Sequence, residues 1–158
     1  MDRTQLVLDV DTGVDDALAI ILAFRSPAAE VLAIGTVAGN IGAAQAATNT
    51  LKVLDVLGVR VPVAVGLDEA IGQTLPLARH VHGQDGMGDA GIPAASGQPS
   101  GEHAVDQLIR LAREHPGQIT LFACGPLTNV ATALLCEPAL PRLLKELVIM
   151  GGAADAIG

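Results

Sequence analysis

Four aspartates fall within eight residues, in the order Asp9-Val10-Asp11-Thr12-Gly13-Val14-Asp15-Asp16, where an apolar run gives way to a turn and then to a helical pattern. Carboxylates this close repel one another strongly unless a cation joins them, and a set of oxygen donors suits a hard divalent ion, Ca²⁺ or Mg²⁺. Alternation along a strand points Asp9 and Asp11 the same way, and the turn at Thr12-Gly13 can return Asp15 and Asp16 towards them. Acidic residues in a first helical turn also serve as caps and favour the helix dipole, which accounts for Asp15 and Asp16 but not for all four. The cluster therefore predicts a metal site.

The elements that must position it follow from periodicity. Short β-branched runs alternate with stretches of helical period, the pattern of βα units around an open, mostly parallel β-sheet with flanking helices. Strands are predicted over Gln5 to Val10, Val31 to Val37, Val61 to Val65, Gln118 to Ala123 and Glu146 to Met150. Helices are predicted over Val14 to Arg25, Ala43 to Leu57, His103 to Glu114, Asn129 to Cys136 and Leu140 to Lys145. The first helix is expected to turn Leu18, Ala19, Ile21 and Leu22 to one apolar face, and Ser26-Pro27 ends it. The aspartates then lie at the carboxyl end of the first strand, where ligands bind in open α/β sheets. The stretch from Leu67 to Gly101 is long and rich in Gly and Pro, and long loops in such domains are usually functional.

The 158 residues carry a net charge of −8, half of them are hydrophobic, and there are two Phe with no Tyr or Trp. An acidic chain with almost no rings for base stacking argues against nucleic-acid binding. No apolar run approaches the ~18 residues of a membrane span, and the amino terminus lacks the pattern of a signal peptide, so no membrane partner and cytoplasmic residence are expected. Cys124 and Cys136 have no metal-ligand spacing and are expected as buried free thiols.

Several segments resemble the inosine-uridine preferring nucleoside hydrolases. Leu6-Val7-Leu8-Asp9-Val10-Asp11-Thr12-Gly13-Val14-Asp15-Asp16-Ala17 is similar to that family's amino-terminal signature, and Thr36-Val37-Ala38-Gly39-Asn40 to its second-strand motif. His80-Val81-His82-Gly83 with Gly86-Met87-Gly88 resembles its substrate loop; Gly125-Pro126-Leu127-Thr128-Asn129-Val130-Ala131 and Val148-Ile149-Met150-Gly151-Gly152 resemble two later motifs. The resemblance implies Ca²⁺-assisted hydrolysis of the N-glycosidic bond of a ribonucleoside, through attack by water on an oxocarbenium-like sugar. It implies that Asp11 binds the metal and acts as general base, that Asp16 and the carbonyl of Thr128 are metal ligands, and that Asp15 binds a ribose hydroxyl. Asn40 would lie beside the sugar, Met150 would line the ribose pocket, His82 would lie near the nucleobase, and Asp9 would orient its neighbours from behind. Taken alone, Asn40 reads as a turn residue, Thr128 as a helix N-cap, Met150 as core filler and His80 as an exposed loop residue.

Family members are much longer. Their carboxy-terminal half supplies a Glu-Phe-Asn segment and a distal His-Asp pair that have no counterpart here, so the 158 residues are expected to be the amino-terminal part of a single domain, with homo-oligomers expected of the full-length form. Two other readings stand beside this one: a catalytically silent metal-binding or interaction fragment, and a haloacid dehalogenase-type phosphatase. The second is disfavoured by Gly13 at the fifth motif position and by Asp15-Asp16, which would repel a phosphate dianion.

Overall fold

A computed structural model describes residues 3–74, 76–153 and 155. Five strands, β1 (Thr4–Val10), β2 (Ala29–Thr36), β3 (Val63–Val65), β4 (Ile119–Ala123) and β5 (Glu146–Ile149), form one parallel sheet in the order β3-β2-β1-β4-β5. Helices α1 (Val14–Arg25) and α2 (Ala43–Leu57) follow β1 and β2. A four-residue helix α3 (Arg79–His82) and the longer α4 (Ala104–Glu114) link β3 to β4, and α5 (Thr128–Cys136) with α6 (Leu140–Leu143) link β4 to β5. The chain crosses from β1 towards β2 on one side and enters β4 on the other, so the carboxyl end of β1 lies at the point where strand order reverses, with a crevice beyond it.

The alternation of β1 divides the core. Val7 joins the side chains of α4, α5 and α6, whereas Leu8 and Val10 join those of α1 and α2. A register shift between Leu6 and Val7 opposite β2 puts Val31 and Ile34 on one face although they are three residues apart. Gly58, at φ +69, closes α2 in the left-handed conformation that a helix end needs, as the sequence anticipates.

The expected bounds of α1 and α2 are met, but the face of α1 is not. Ala17 and Ile20 are buried, Ile21 is half-buried, and Leu18 and Leu22 are 64% and 71% exposed. An almost uniformly apolar helix offers more than one candidate face, and here the small Ala17 allows close approach to the sheet. His103 is not the first residue of α4 but its cap, accepting the Val105 N–H at Nδ1. Cys124 is buried as expected, whereas Cys136, at the end of α5, is exposed. The β3 to α4 connection is strapped back to the sheet: Ser100 N–H donates to Val63 O, and Ser96 is hydrogen-bonded by Asp55 and Arg60 near the end of α2.

Candidate active site

Beyond β1 the backbone turns sharply, and three βα connections meet there. Asp11 is buried, and its Oδ2 accepts the backbone N–H of Asn40 at 2.7 Å. Asp16, on the first turn of α1, accepts the N–H of Gly13 at 2.9 Å and the side-chain amide of Asn40 at 3.3 Å. It thereby caps α1, so the helix-capping role falls on one of the carboxylates expected as metal ligands. Burial holds both carboxyls above the usual carboxylate range, helped at Asp11 by the charge of Asp15 and at Asp16 by the charges of Asp11 and Asp15.

Asp9 lies one layer deeper. Its Oδ1 accepts from Asn129 Nδ2 at 2.8 Å, while the same amide donates to Thr36 O at 2.9 Å and accepts the Leu67 N–H at 3.0 Å. One side chain of α5 thus ties together the ends of β1 and β2 and the segment after β3. Burial, against the Asn129 hydrogen bond, pushes the Asp9 carboxyl up to about 7. Its other oxygen and the amide of buried Gln107 have no protein partner among the described residues, and both residues line the same small internal cavity.

Across the turn, His82 comes from α3. Its Nδ1 accepts a long hydrogen bond from Val14 N at 3.4 Å and stands 3.8 Å from Asp15 Oδ1; the imidazole is 15% exposed and the carboxylate 60%. Residues distant in sequence are brought together because glycines leave room. A Cβ on Gly13 would lie 2.7 Å from Asn40 Nδ2 and 2.8 Å from His82 Nδ1. One on Gly39 would collide with Asp11 Oδ2 and lie 2.7 Å from Pro126 Cδ.

Asp11, Asp16 and Asn40 therefore form one hydrogen-bonded group, with the pair of Asp9 and Asn129 a layer deeper, and Asp15 and His82 form a second group facing it. Thr128 is buried at the start of α5, two residues after Pro126; Leu127 takes the cap position, so the expected hydroxyl cap is not made. Met150 is 59% exposed rather than core filler, and its N–H donates to Ala123 O, which places it two strands away from β1. His80 is exposed, as its plain reading expects.

The donor set fits a hard cation in kind: two buried carboxylates bridged by the backbone and side-chain N–H groups of Asn40, oriented by neutral donors, with no cationic side chain acting on either among the described residues. In number it is short, because no group of three or more His, Cys, Asp or Glu side chains converges for a metal among the described residues. Backbone carbonyl or water oxygens would have to complete such a shell. No helix among the described residues is long and apolar enough to cross a membrane.

Sequence reading missed Asn129 and Asn49. Asn49 is fully buried on α2, and its amide donates to Thr12 O at 3.2 Å and to Asp85 O at 2.8 Å. The available signal was a polar residue on an otherwise apolar helical face, with Ala46 and Val53 before and after Asn49, and Val130 and Ala133 after Asn129.

The profile of the family described as inosine-uridine preferring nucleoside hydrolase matches residues 6–158. Uridine nucleosidase 1 of Arabidopsis thaliana is 38% identical over 156 residues, covering 98% of this chain and 46% of that protein. The inosine-uridine preferring nucleoside hydrolase of Crithidia fasciculata is 42% identical over 151 residues, covering 94% and 48%. Among solved structures, the plant nucleoside hydrolase PpNRh1 superposes with a TM-score of 0.91 at 37% identity, over 95% of this chain and 48% of that one. A purine-preferring ribonucleoside hydrolase from Gardnerella vaginalis gives 0.90 at 36% identity, over 94% and 49%. The chain spans about half the length of these relatives. With a profile match over nearly all its residues and close superposition on solved nucleoside hydrolases, the chain belongs to the inosine-uridine preferring nucleoside hydrolase family.

Proposed function

We propose that this chain carries the amino-terminal part of a single Ca²⁺-dependent N-ribosyl hydrolase domain, which splits a ribonucleoside into ribose and free base. The supporting observation is the convergence of Asp11 and Asp16 beside Asn40 at the carboxyl end of β1, with His82 facing the same turn. Asp11, Asp16 and the carbonyl of Thr128 would hold the ion, which when bound supplies a lowered pKa for the attacking water and a fixed position for it. Asp11 takes the proton of that water as it attacks the anomeric carbon and the bond to the base nitrogen breaks. The exposed carboxylate of Asp15 accepts from a ribose hydroxyl, the Asn40 amide steadies the sugar side, and His82 lies by the leaving base. Asp9, held by Asn129, supports β1 from beneath, and Met150 forms part of the ribose wall. Cytoplasmic residence and assembly of the full-length form into homo-oligomers belong to the same reading.

A reducing-sugar assay with inosine and uridine, with and without Ca²⁺, tests it. Ribose release that requires Ca²⁺ is expected wherever the site is complete. If the chain binds Ca²⁺ yet releases no ribose from either substrate, the alternative of a silent metal-binding fragment takes its place.

A further inference from the structure

One buried amide connects the two groups of the candidate site. Asn49 has two side-chain N–H bonds, and they are spent on carbonyls of different loops: Thr12 O in the turn carrying Asp11 and Asp16, and Asp85 O in the loop that follows His82. Its Oδ1 accepts from Gln45 Nε2 at 3.0 Å, which fixes which way the amide faces. The neighbouring residue adds to the grip: the Thr12 and Thr50 hydroxyls are 2.6 Å apart, and since Thr50 also donates to Ala46 O, Thr12 donates to Thr50. On the other side the loop is stiffened internally. Gly88 N–H donates to His82 O at 2.7 Å, Asp85 Oδ1 accepts from Met87 N and Asp89 N, and Gly86, at φ +78, lies so close that a Cβ there would be 3.1 Å from Asn49 Nδ2.

We propose that Asn49 is a positioning residue that sets the spacing between the acidic turn and the His82 loop, and so the register between the sugar and base ends of the bound nucleoside. The inference rests on the nucleoside reading for its consequence, but the clamp itself concerns only this chain's loops. A helix is a suitable place for it, because the α2 backbone is rigid while both loops are irregular. Removing the amide takes the donor from one buried and one half-buried carbonyl, and the loop opens locally instead of the whole fold unfolding.

Hydrogen exchange and ligand titration on the full chain test this with Asn49→Ala and the milder Gln45→Ala, whose half-buried side chain only orients the amide. Exchange at the Met87, Gly88 and Asp89 amides should accelerate about thirtyfold in Asn49→Ala, the equivalent of two ordinary hydrogen bonds, and less in Gln45→Ala. Amides of β1 and β4 should change by less than threefold. In the presence of Ca²⁺, inosine binding should weaken about tenfold or more while ribose binding stays within twofold, since only the base end moves. Equal acceleration throughout the chain, or no acceleration at residues 87–89, would overturn the clamp; so would equal loss of ribose and inosine affinity. Should Asn49→Ala fail to fold, Gln45→Ala decides by the same exchange pattern. A parent chain that binds neither ribose nor inosine would count against the nucleoside reading alone, and the exchange result would still decide whether Asn49 joins the loops.

Discussion

Replacing Gly39 by alanine probes the site through its packing and leaves every candidate ligand in place. The new methyl would collide with Asp11 Oδ2 and lie 2.7 and 2.8 Å from the Pro126 ring carbons, against ~3.5–4.0 Å for ordinary carbon contacts. About 1 Å must be found. Pro126 is a rigid ring, and Asp11 is buried and held by the Asn40 N–H, so neither neighbour is the free end of a flexible chain. Overpacking of this kind costs about 1–3 kcal/mol, and the upper end applies where the methyl sits on the backbone. If the strain is relieved by moving the Asp11 carboxylate, a displacement of about 1 Å at a reacting group costs turnover about a hundredfold. Gly101→Ala is the control, since a Cβ there meets nothing within 4 Å. Calorimetric Ca²⁺ titration, thermal unfolding and the reducing-sugar assay read the three consequences. Gly39→Ala with parental Ca²⁺ affinity and unfolding midpoint would show that the contact between Gly39 and Asp11 does not constrain the carboxylate, and the geometry of the site would need redrawing.

Asp11→Asn in a complete enzyme should reduce turnover by several orders of magnitude with the fold intact, because one carboxylate is assigned both the ion and the proton of water; activity within tenfold at unchanged metal content would refute the base assignment. His82→Ala should shift relative rates among purine and pyrimidine nucleosides, and loss of Ca²⁺ binding instead would misplace His82. Asp9, Asp11 and Asp16 hold protons more tightly folded than unfolded, so their contribution to stability is full below about pH 4. It is lost as pH rises towards the folded value, about 7 for Asp9. The midpoint of the chain in chelator should accordingly fall between pH 5 and 7.5 and be raised most by Ca²⁺ at the upper end; a rising midpoint in chelator would contradict the burial argument. Finally, β5 is an edge strand whose four residues are all exposed, Leu147, Val148 and Ile149 among them, which favours strand-to-strand self-association. Sedimentation should show oligomers of this chain that Val148→Lys disperses, and a monomeric parent at high concentration would exclude it.

Much of the fold was legible because its boundaries are written in punctuation residues. Ser26-Pro27 ends α1, Gly58 ends α2, and the β-branched runs between them leave little choice of strand. The acidic turn was legible for a different reason, since four carboxylates in eight residues need a shared cause. The sequence could not show which apolar side chains of α1 face inwards, because a helix with Ala17, Leu18, Ile20, Ile21 and Leu22 has no polar stripe to orient it. Nor could it show the short α3 inside the long loop, whose four residues lack the length over which a period is visible. Asn49 and Asn129 escaped because a buried amide and a solvated one look alike until the carbonyls they serve are placed, and those carbonyls are up to 93 residues away.

These amides also explain how so much negative charge is tolerated at one strand end. Among the described residues, the hydrogen bonds that orient Asp9, Asp11 and Asp16 from outside the cluster come from neutral donors: the backbone N–H groups of Gly13 and Asn40 and the side-chain amides of Asn40 and Asn129. A lysine or arginine in their place would satisfy the carboxylates, and by doing so permanently would remove any reason for a divalent ion to bind. Neutral donors fix direction and leave the charge unbalanced, so the folded chain must take up either protons or a cation. The same residues that carry the proposed chemistry therefore make stability depend on pH and on Ca²⁺ together. Replacing either Asp11 or Asp16 by asparagine should weaken both dependences at once, which ties the electrostatics of the fold to the site it holds.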